Sequence, residues 1–373
     1  MRILIIGGVD GQLRISTYRF LVSQGHQVAV VAPCKLPEVV AIGCEVFTYN
    51  LVRNISFIDD GLAIKDLRRI FKIWSPDLVH SFDSKPNYLV PIASFGFSDI
   101  KVVRTINGLG RFFSSKNINN PIFLIVFWML HYICRPAVNL TIFQNEADMK
   151  YFLSHLLVSR QKVSLIPGSG VNAKQLREVS CNTNRLEFRT KMDWQDSVVF
   201  ILVSRVIEEK GIYEFMEASR LLKKISPLTK CVIVGPAAEG EINGIELKDI
   251  DAYADSITYL GERNDVPRLL SAADVFVLPT KYREGIPRSL LEAMAIGKPT
   301  IVSDMPGCGE TVAKAECGLV VRAGDIEGLF SAMKNILSSD FDSLGRCAQQ
   351  AVEKWYSHTV VMDKLEKEYL SIR

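Results

Sequence analysis

The chain has 373 residues, 48 % hydrophobic and 23 % charged, which is enough apolar material for two cores and too much for a disordered chain. Its net charge is only +3, yet residues 1–185 carry 21 Lys/Arg against 12 Asp/Glu, and residues 186–373 carry 23 against 29. The basic half is expected to face anionic lipid or a diphosphate; the alternative is an uneven surface charge without function.

Strands and helices alternate through the first half. Arg2–Ile6 reads as an apolar strand followed by the glycine-bearing turn Gly7–Gly11. A helix is predicted over about Arg14–Gln24, ended by Gly25, and a second strand over Gln27–Ala32. Glu45–Tyr49, Leu78–Ser81, Val102–Ile106 and Leu140–Gln144 read as further strands, with a helical pattern at Leu62–Ile73. The longest apolar run, Pro121–Ile133, is too short to span a bilayer, which takes about 20 residues. It reads either as a buried helix or as a helix partly sunk into a membrane surface, the second supported by the nearby Arg111, Lys116 and Arg135.

The turn-rich PGSGVN from Pro167 and the polar stretch Cys181–Asn184 place a boundary around residues 172–190. The expected division is 1–180, 181–355, and a helix 356–373 that packs back on the first domain. Alternation then resumes: strand Val198–Val203, helix Ile212–Ile225, strands Cys231–Val234, Ile257–Leu260 and Val275–Leu278, helix Ser289–Ala295, strand Thr300–Ser303, and helices over about 326–371. The pattern predicts an α/β chain of two doubly wound parallel sheets facing a cleft, with ligands at the carboxyl ends of the strands.

Several features carry less. Eight scattered cysteines without a C-x-x-C pair read as reduced structural thiols. No signal peptide precedes the first strand, so the sequons at Asn54 and Asn139 are expected to be chance matches in a cytoplasmic protein. The five histidines are too scattered for a zinc site; His26 is expected to serve a turn, and His80 ends a strand from which it can approach the cleft. Asp249–Asp251 resembles a metal-binding acid pair but reads as a solvated loop. GGVDG departs from G-x-G-x-x-G, so a dinucleotide reading is weak.

Two segments carry chemistry. In TKYREGIPRSLLE, Glu284 and Glu292 are eight apart and a helix is predicted to start between them, with Pro287 in its first turn. Backbone N–H groups at Gly285, Ile286 and Arg288 then offer an anion site, and Glu292, about two turns in, can accept from a ribose diol. In SRVIEEKG, Arg205 and Lys210 follow a strand end, where a guanidinium and an ammonium can hold a diphosphate and stabilise it as a leaving group.

With these segments together, the chain resembles the family-4 retaining glycosyltransferases of the GT-B fold. The likeness is strongest to members that build bacterial capsule, O-antigen or protein-linked glycans on lipid carriers. EGIPRSLLE with its continuation EAMAIGKPTIVSDMPGCGETV, SRVIEEKG, PGSGVN and TINGLG carry the likeness, which runs from residue 1 to about 325. It implies a hexosyltransferase-class enzyme moving an N-acetylhexosamine or hexose from a UDP-sugar to a lipid-diphosphate-linked saccharide, without a metal or other cofactor and without nucleic acid. It implies a peripheral position on an anionic membrane, at the inner face of the bacterial cytoplasmic membrane.

Arg205 and Lys210 would hold the diphosphate, Glu292 the ribose, and Glu284 the sugar hydroxyls. Gly285, Ile286, Pro287 and Arg288 would line sugar and phosphate, Gly7 and Gly8 would admit the phosphates closely, and the Leu260–Val266 loop would lie near the base. Asn107 and Gly108 belong to the acceptor-side loop. Many relatives carry His at the position of Asn107; Asn does not titrate near neutral pH, so no general base is expected there. The same architecture also serves nucleotide-sugar 2-epimerases and inactive partner subunits; joint retention of Arg205, Lys210, Glu284 and Glu292 argues against the latter.

Overall fold

The computed structural model describes residues 1–52, 56–113, 121–238 and 243–373, so Asn54 and Lys116 lie outside the described residues. The chain divides into two compact units, Met1–Ile166 with Met362–Arg373, and Pro167–Val361.

The first unit is built on seven strands: β1 (Arg2–Ile6), β2 (Gln27–Ala32), β3 (Glu45–Thr48), β4 (Leu78–Ser81), β5 (Lys101–Ile106), β6 (Leu140–Phe143) and β7 (Val163–Leu165). Their order is β3-β2-β1-β4-β5-β6-β7, and every pair is parallel. Ile3, Leu4, Ile5 and Ile6 are all buried, as expected of a central strand covered on both faces. Helix Phe57–Trp74 starts at Ser56, whose hydroxyl accepts from the Asp59 N–H. It turns Leu67, Phe71 and Trp74 into the core beside Leu4, Ile6 and Val79.

The second unit repeats the plan with six strands: β8 (Val198–Val203), β9 (Thr229–Val234), β10 (Ile257–Tyr259), β11 (Val275–Leu278), β12 (Thr300–Ser303) and β13 (Gly318–Val321). Their order is β10-β9-β8-β11-β12-β13, again parallel throughout. Helix Ile212–Ile225 buries Phe215, Met216 and Leu222 against Leu329, Met333 and Ile336 of helix Ile326–Ile336. In each sheet the strand order reverses once, between β1 and β4 and between β8 and β11. These switch points are where loops diverge and leave a crevice at the carboxyl ends.

The structure differs from the expectations at several places. The edge strands β7 and β13 are additional to the expected ones. β7 has only three residues, and β13 opens at Gly318, where a Cβ would stand 1.8 Å from the Thr300 carbonyl oxygen of the next strand. The change of unit falls at Ile166/Pro167 rather than 180/181. PGSGVN is bonded into the second unit: Val171 N–H donates to the Tyr356 carbonyl (3.1 Å) and His358 N–H to the Val171 carbonyl (2.8 Å). The return to the first unit comes at Met362, inside helix His358–Ser371, rather than at 356.

Asp249–Asp251 is part of the short helix Leu247–Asp251 rather than a loop. His80 is fully buried, its ring held by the Tyr369 hydroxyl and by Thr105 Oγ1 at 2.7 Å, so it is closed to ligands. Five cysteines are buried, but Cys34 and Cys181 are exposed and pack in no core. The Asn139 amide oxygen accepts from Val102 N–H at 2.8 Å, a structural task at the start of β6. Among the described residues no helix is long and apolar enough to cross a membrane.

Candidate active site

The site of the second unit forms at the β8/β11 switch. β8 runs into Ser204-Arg205 and a short turn at Glu208–Lys210; Gly211 follows at φ +75°. A Cβ on Gly211 would lie 2.1 Å from the Pro279 carbonyl oxygen, so only glycine lets this turn seat on the end of β11. Two bonds tie the loops: Thr280 Oγ1 donates to the Glu209 carbonyl at 3.0 Å, and Lys281 N–H to the same oxygen at 2.7 Å. The Gly235 N–H, after β9, donates to the Gly261 carbonyl after β10 (2.9 Å), which ties the Leu260–Val266 loop to the end of β9.

This framework brings Lys210 and Glu284 together as an ion pair, with side chains only 13 % and 17 % exposed. The Thr280 hydroxyl adds a 3.4 Å contact to the same carboxylate oxygen. Gly285 is pressed under Gly307, which has φ +81° and whose Cβ would sit 1.4 Å from the Gly285 carbonyl oxygen. Cys308 is buried next to the pair: burial first, then the Glu284 carboxylate, push its thiol well above the ordinary value, with Lys210 acting the other way. It is a neutral neighbour of the charged pair.

The helix after Glu284 is Arg288–Ile296. Pro287 precedes it as the cap residue rather than standing in its first turn, and no side chain caps the helix. The first N–H groups, from Arg288 on, therefore remain available to an anion. Glu292 is the fifth helical residue, little more than one turn in rather than two. Its carboxylate accepts from Arg288 Nε at 2.9 Å. Arg205 is exposed on the same strand end. The arrangement combines cations, helical N–H groups and two carboxylates, which suits a diphosphate flanked by hydroxyl-bearing groups.

In the first unit, Gly7, Gly8, Asn107 and Gly108 lie at the carboxyl ends of β1 and β5. They are organised by a residue that no sequence motif singles out. Asp83, just beyond β4 and at φ +71°, accepts from Gly8 N–H at 2.9 Å, Arg14 Nη2 at 3.3 Å and Asn107 Nδ2 at 3.4 Å. Gln144 Nε2 donates in turn to Asn107 Oδ1 at 3.1 Å. The available signal was positional: Asp83 stands two residues after predicted strand Leu78–Ser81, at the switch point. A non-glycine residue held left-handed by its surroundings marks functional loops in particular.

Comparison with known proteins identifies the fold and the family. HepE of Anabaena, solved in complex with UDP, superposes with a TM-score of 0.80 at 18 % identity over 100 % of both chains. Sucrose-phosphate synthase of Thermosynechococcus elongatus also gives 0.80 at 18 %, over 100 % of this chain and 99 % of that one. The fold is GT-B. The model of Glycosyltransferase Family 4 matches residues 15–173, and that of Glycosyl transferases group 1 matches residues 184–354. The chain belongs to the family-4 glycosyltransferases and is a sugar-transferring enzyme.

Among its relatives is the Escherichia coli UDP-Gal:alpha-D-GlcNAc-diphosphoundecaprenol alpha-1,3-galactosyltransferase, 28 % identical over 87 % of this chain and 83 % of that one. Another is the Campylobacter jejuni N,N'-diacetylbacillosaminyl-diphospho-undecaprenol alpha-1,3-N-acetylgalactosaminyltransferase, 26 % identical over 88 % and 86 %.

Proposed function

We propose that this enzyme moves a hexose or N-acetylhexosamine from a UDP-sugar to a saccharide carried on a lipid diphosphate, with retention of anomeric configuration, in the synthesis of a bacterial surface polysaccharide or glycan. The observation that carries the proposal is the Lys210–Glu284 pair set immediately ahead of an uncapped helix at the β8/β11 switch. The two curated relatives, both transferases whose names give diphosphoundecaprenol-linked acceptors, support it over a 2-epimerase.

In the proposed reaction, the donor diphosphate takes Arg205, Lys210 and the N–H groups at Arg288. Glu292 holds the ribose, and Glu284 the hydroxyls of the transferred sugar. The acceptor hydroxyl oxygen bonds to the anomeric carbon from the face the diphosphate leaves. The electron pair of the broken C–O bond goes to the β-phosphate oxygen, which takes the acceptor's proton. Asn107 and Gly108 serve the acceptor, and no metal is required because the two cations and the helix terminus meet the developing charge.

Peripheral docking on the inner face of the bacterial cytoplasmic membrane belongs to the same reading. Helix Pro121–Cys134 turns Phe127, His131 and Cys134 inward, while Ile122, Ile125, Met129, Tyr132 and Ile133, 46–72 % exposed, form one outer stripe. Such a stripe suits the bilayer interface. The test is incubation with UDP-sugars and an undecaprenyl-diphosphate-linked sugar, followed by NMR of the product. An α-linked product is expected from an α-linked donor. A β-linked product overturns retention; a trapped glycosyl ester of Glu284 leaves retention standing but overturns the single same-face step; an epimerised UDP-sugar without transfer overturns the function.

A further inference from the structure

Away from these loops the first unit buries a cation with no acid beside it among the described residues. Arg104, in β5, is 0 % exposed. Its Nε donates to Thr141 Oγ1 (3.0 Å), Nη1 to His131 Nδ1 (2.9 Å) and Nη2 to the Leu157 carbonyl (3.4 Å). His131 accepts at Nδ1 and is kept neutral, chiefly by burial and then by Arg104 itself, so it supplies no counter-charge. Two more cations, Arg135 and Lys162, line the same cavity, with Thr141 and Ser159 as neutral hydroxyls and, among the described residues, no carboxylate. Arg135 donates to the Leu156 carbonyl (3.2 Å) and Lys162 to the Val138 carbonyl (2.8 Å), both neutral acceptors. Three basic side chains thus line one cavity that no carboxylate lines among the described residues, and an oxyanion suits such a lining.

Position separates this cavity from the acceptor loop. Arg135 and Val138 precede β6, and Ser159 and Lys162 precede β7, so the cavity opens toward the amino ends of those strands. Asp83 and Asn107 follow carboxyl ends. Its surroundings are apolar as well as basic: Arg135 directly follows the helix bearing the exposed stripe, and Leu156, whose carbonyl it holds, is 64 % exposed.

We propose that this cavity takes one phosphate oxyanion, that of an anionic phospholipid headgroup, and so fixes how the stripe of helix Pro121–Cys134 meets the bilayer. The proposal rests on the membrane reading above. The floor of the cavity holds a single water-sized group; one phosphate oxygen enters, and the rest of the group stays at the mouth beside Arg135 and Lys162.

The experiment combines cosedimentation with phosphatidylcholine vesicles, with and without phosphatidylglycerol, and calorimetry with glycerol 3-phosphate. Wild type is compared with the double variant Arg135→Gln/Lys162→Gln and with the stripe variant Ile125→Glu/Met129→Glu. The double variant is expected to lose about thirtyfold in binding to the anionic vesicles, the worth of two cations near such a surface. It should also lose the glycerol 3-phosphate heat while melting like wild type. A double variant that keeps both overturns the cavity; if the stripe variant then still fails to sediment, the membrane reading survives. Glycerol 3-phosphate binding without preference for anionic vesicles overturns the lipid assignment. A wild type that ignores both vesicles, with the stripe variant no different, overturns the membrane reading and this proposal with it.

Discussion

The two units repeat one plan of parallel strands and each gathers an ion pair at its switch point, Arg14–Asp83 and Lys210–Glu284, yet the groups around the pair differ. At the β1/β4 switch a single carboxylate, Asp83, gathers a backbone N–H, a guanidinium and the Asn107 amide, which Gln144 supports in turn. At the β8/β11 switch a cation and a carboxylate are locked together in front of a helix terminus. Strand order decides where a site forms; the handful of residues after each strand decides which groups gather there.

The comparison can be broken most directly at Lys210. Lys210→Gln is expected to lower kcat by about two to three orders of magnitude, since a donor aimed at developing charge is worth about 3–4 kcal/mol. Turnover near that of wild type in folded protein would remove Lys210 from the reaction.

A second contrast concerns the buried cations. In the first unit burial lowers Arg104 only to about 10, so it stays charged near neutral pH. In the second, Lys298 donates to the Ser271 and Ala273 carbonyls (both 2.8 Å), and desolvation, aided by Arg185, lowers it from 10.5 to about 8. Between those two values the unfolded chain holds more protons at this position than the folded one, so folded stability rises with pH across that window. The gain is up to about 3 kcal/mol. Urea denaturation of wild type and Lys298→Met across this range should show the difference between them growing by that amount. A constant difference would mean that Lys298 keeps its ordinary pKa.

The smallest expected effects are a mirrored pair. Glu292→Gln should raise KM for the UDP-sugar about tenfold and leave KM for the acceptor unchanged, the loss expected of one hydrogen bond to a charged acceptor. Asn107→Ala should do the reverse, about tenfold on KM for the acceptor with KM for the UDP-sugar kept. Both variants changing the same constant would erase the division of labour between the units.

Much of the fold is legible in the amino-acid chain alone. Central strands such as Val198–Val203, Val275–Leu278 and Thr300–Ser303 announce themselves as apolar runs between turn residues, because a strand covered on both faces has no polar alternation to confuse. The edge strand β7, three residues with Ser164 at its centre, lacks that signature. Glu284 and Glu292 are readable because a helix start between them follows from local spacing. Asp83 and Gln144 are not, since nothing local marks a polar residue after a strand as the centre of a network.

The amino-acid sequence by itself determined the α/β alternation, the repeated plan of strand and helix, and the residue types gathered around Arg205, Lys210, Glu284 and Glu292. These depend on contacts within a few turns of chain. Tertiary structure alone decided that Lys210 meets a carboxylate 74 positions away, that Asp83 anchors the first loops, and that Arg104, Arg135 and Lys162 surround one cavity. The reason is that β8 lies beside β11, and β1 beside β4. Adjacency between strands distant in the chain is settled by packing, not by any periodicity written along it.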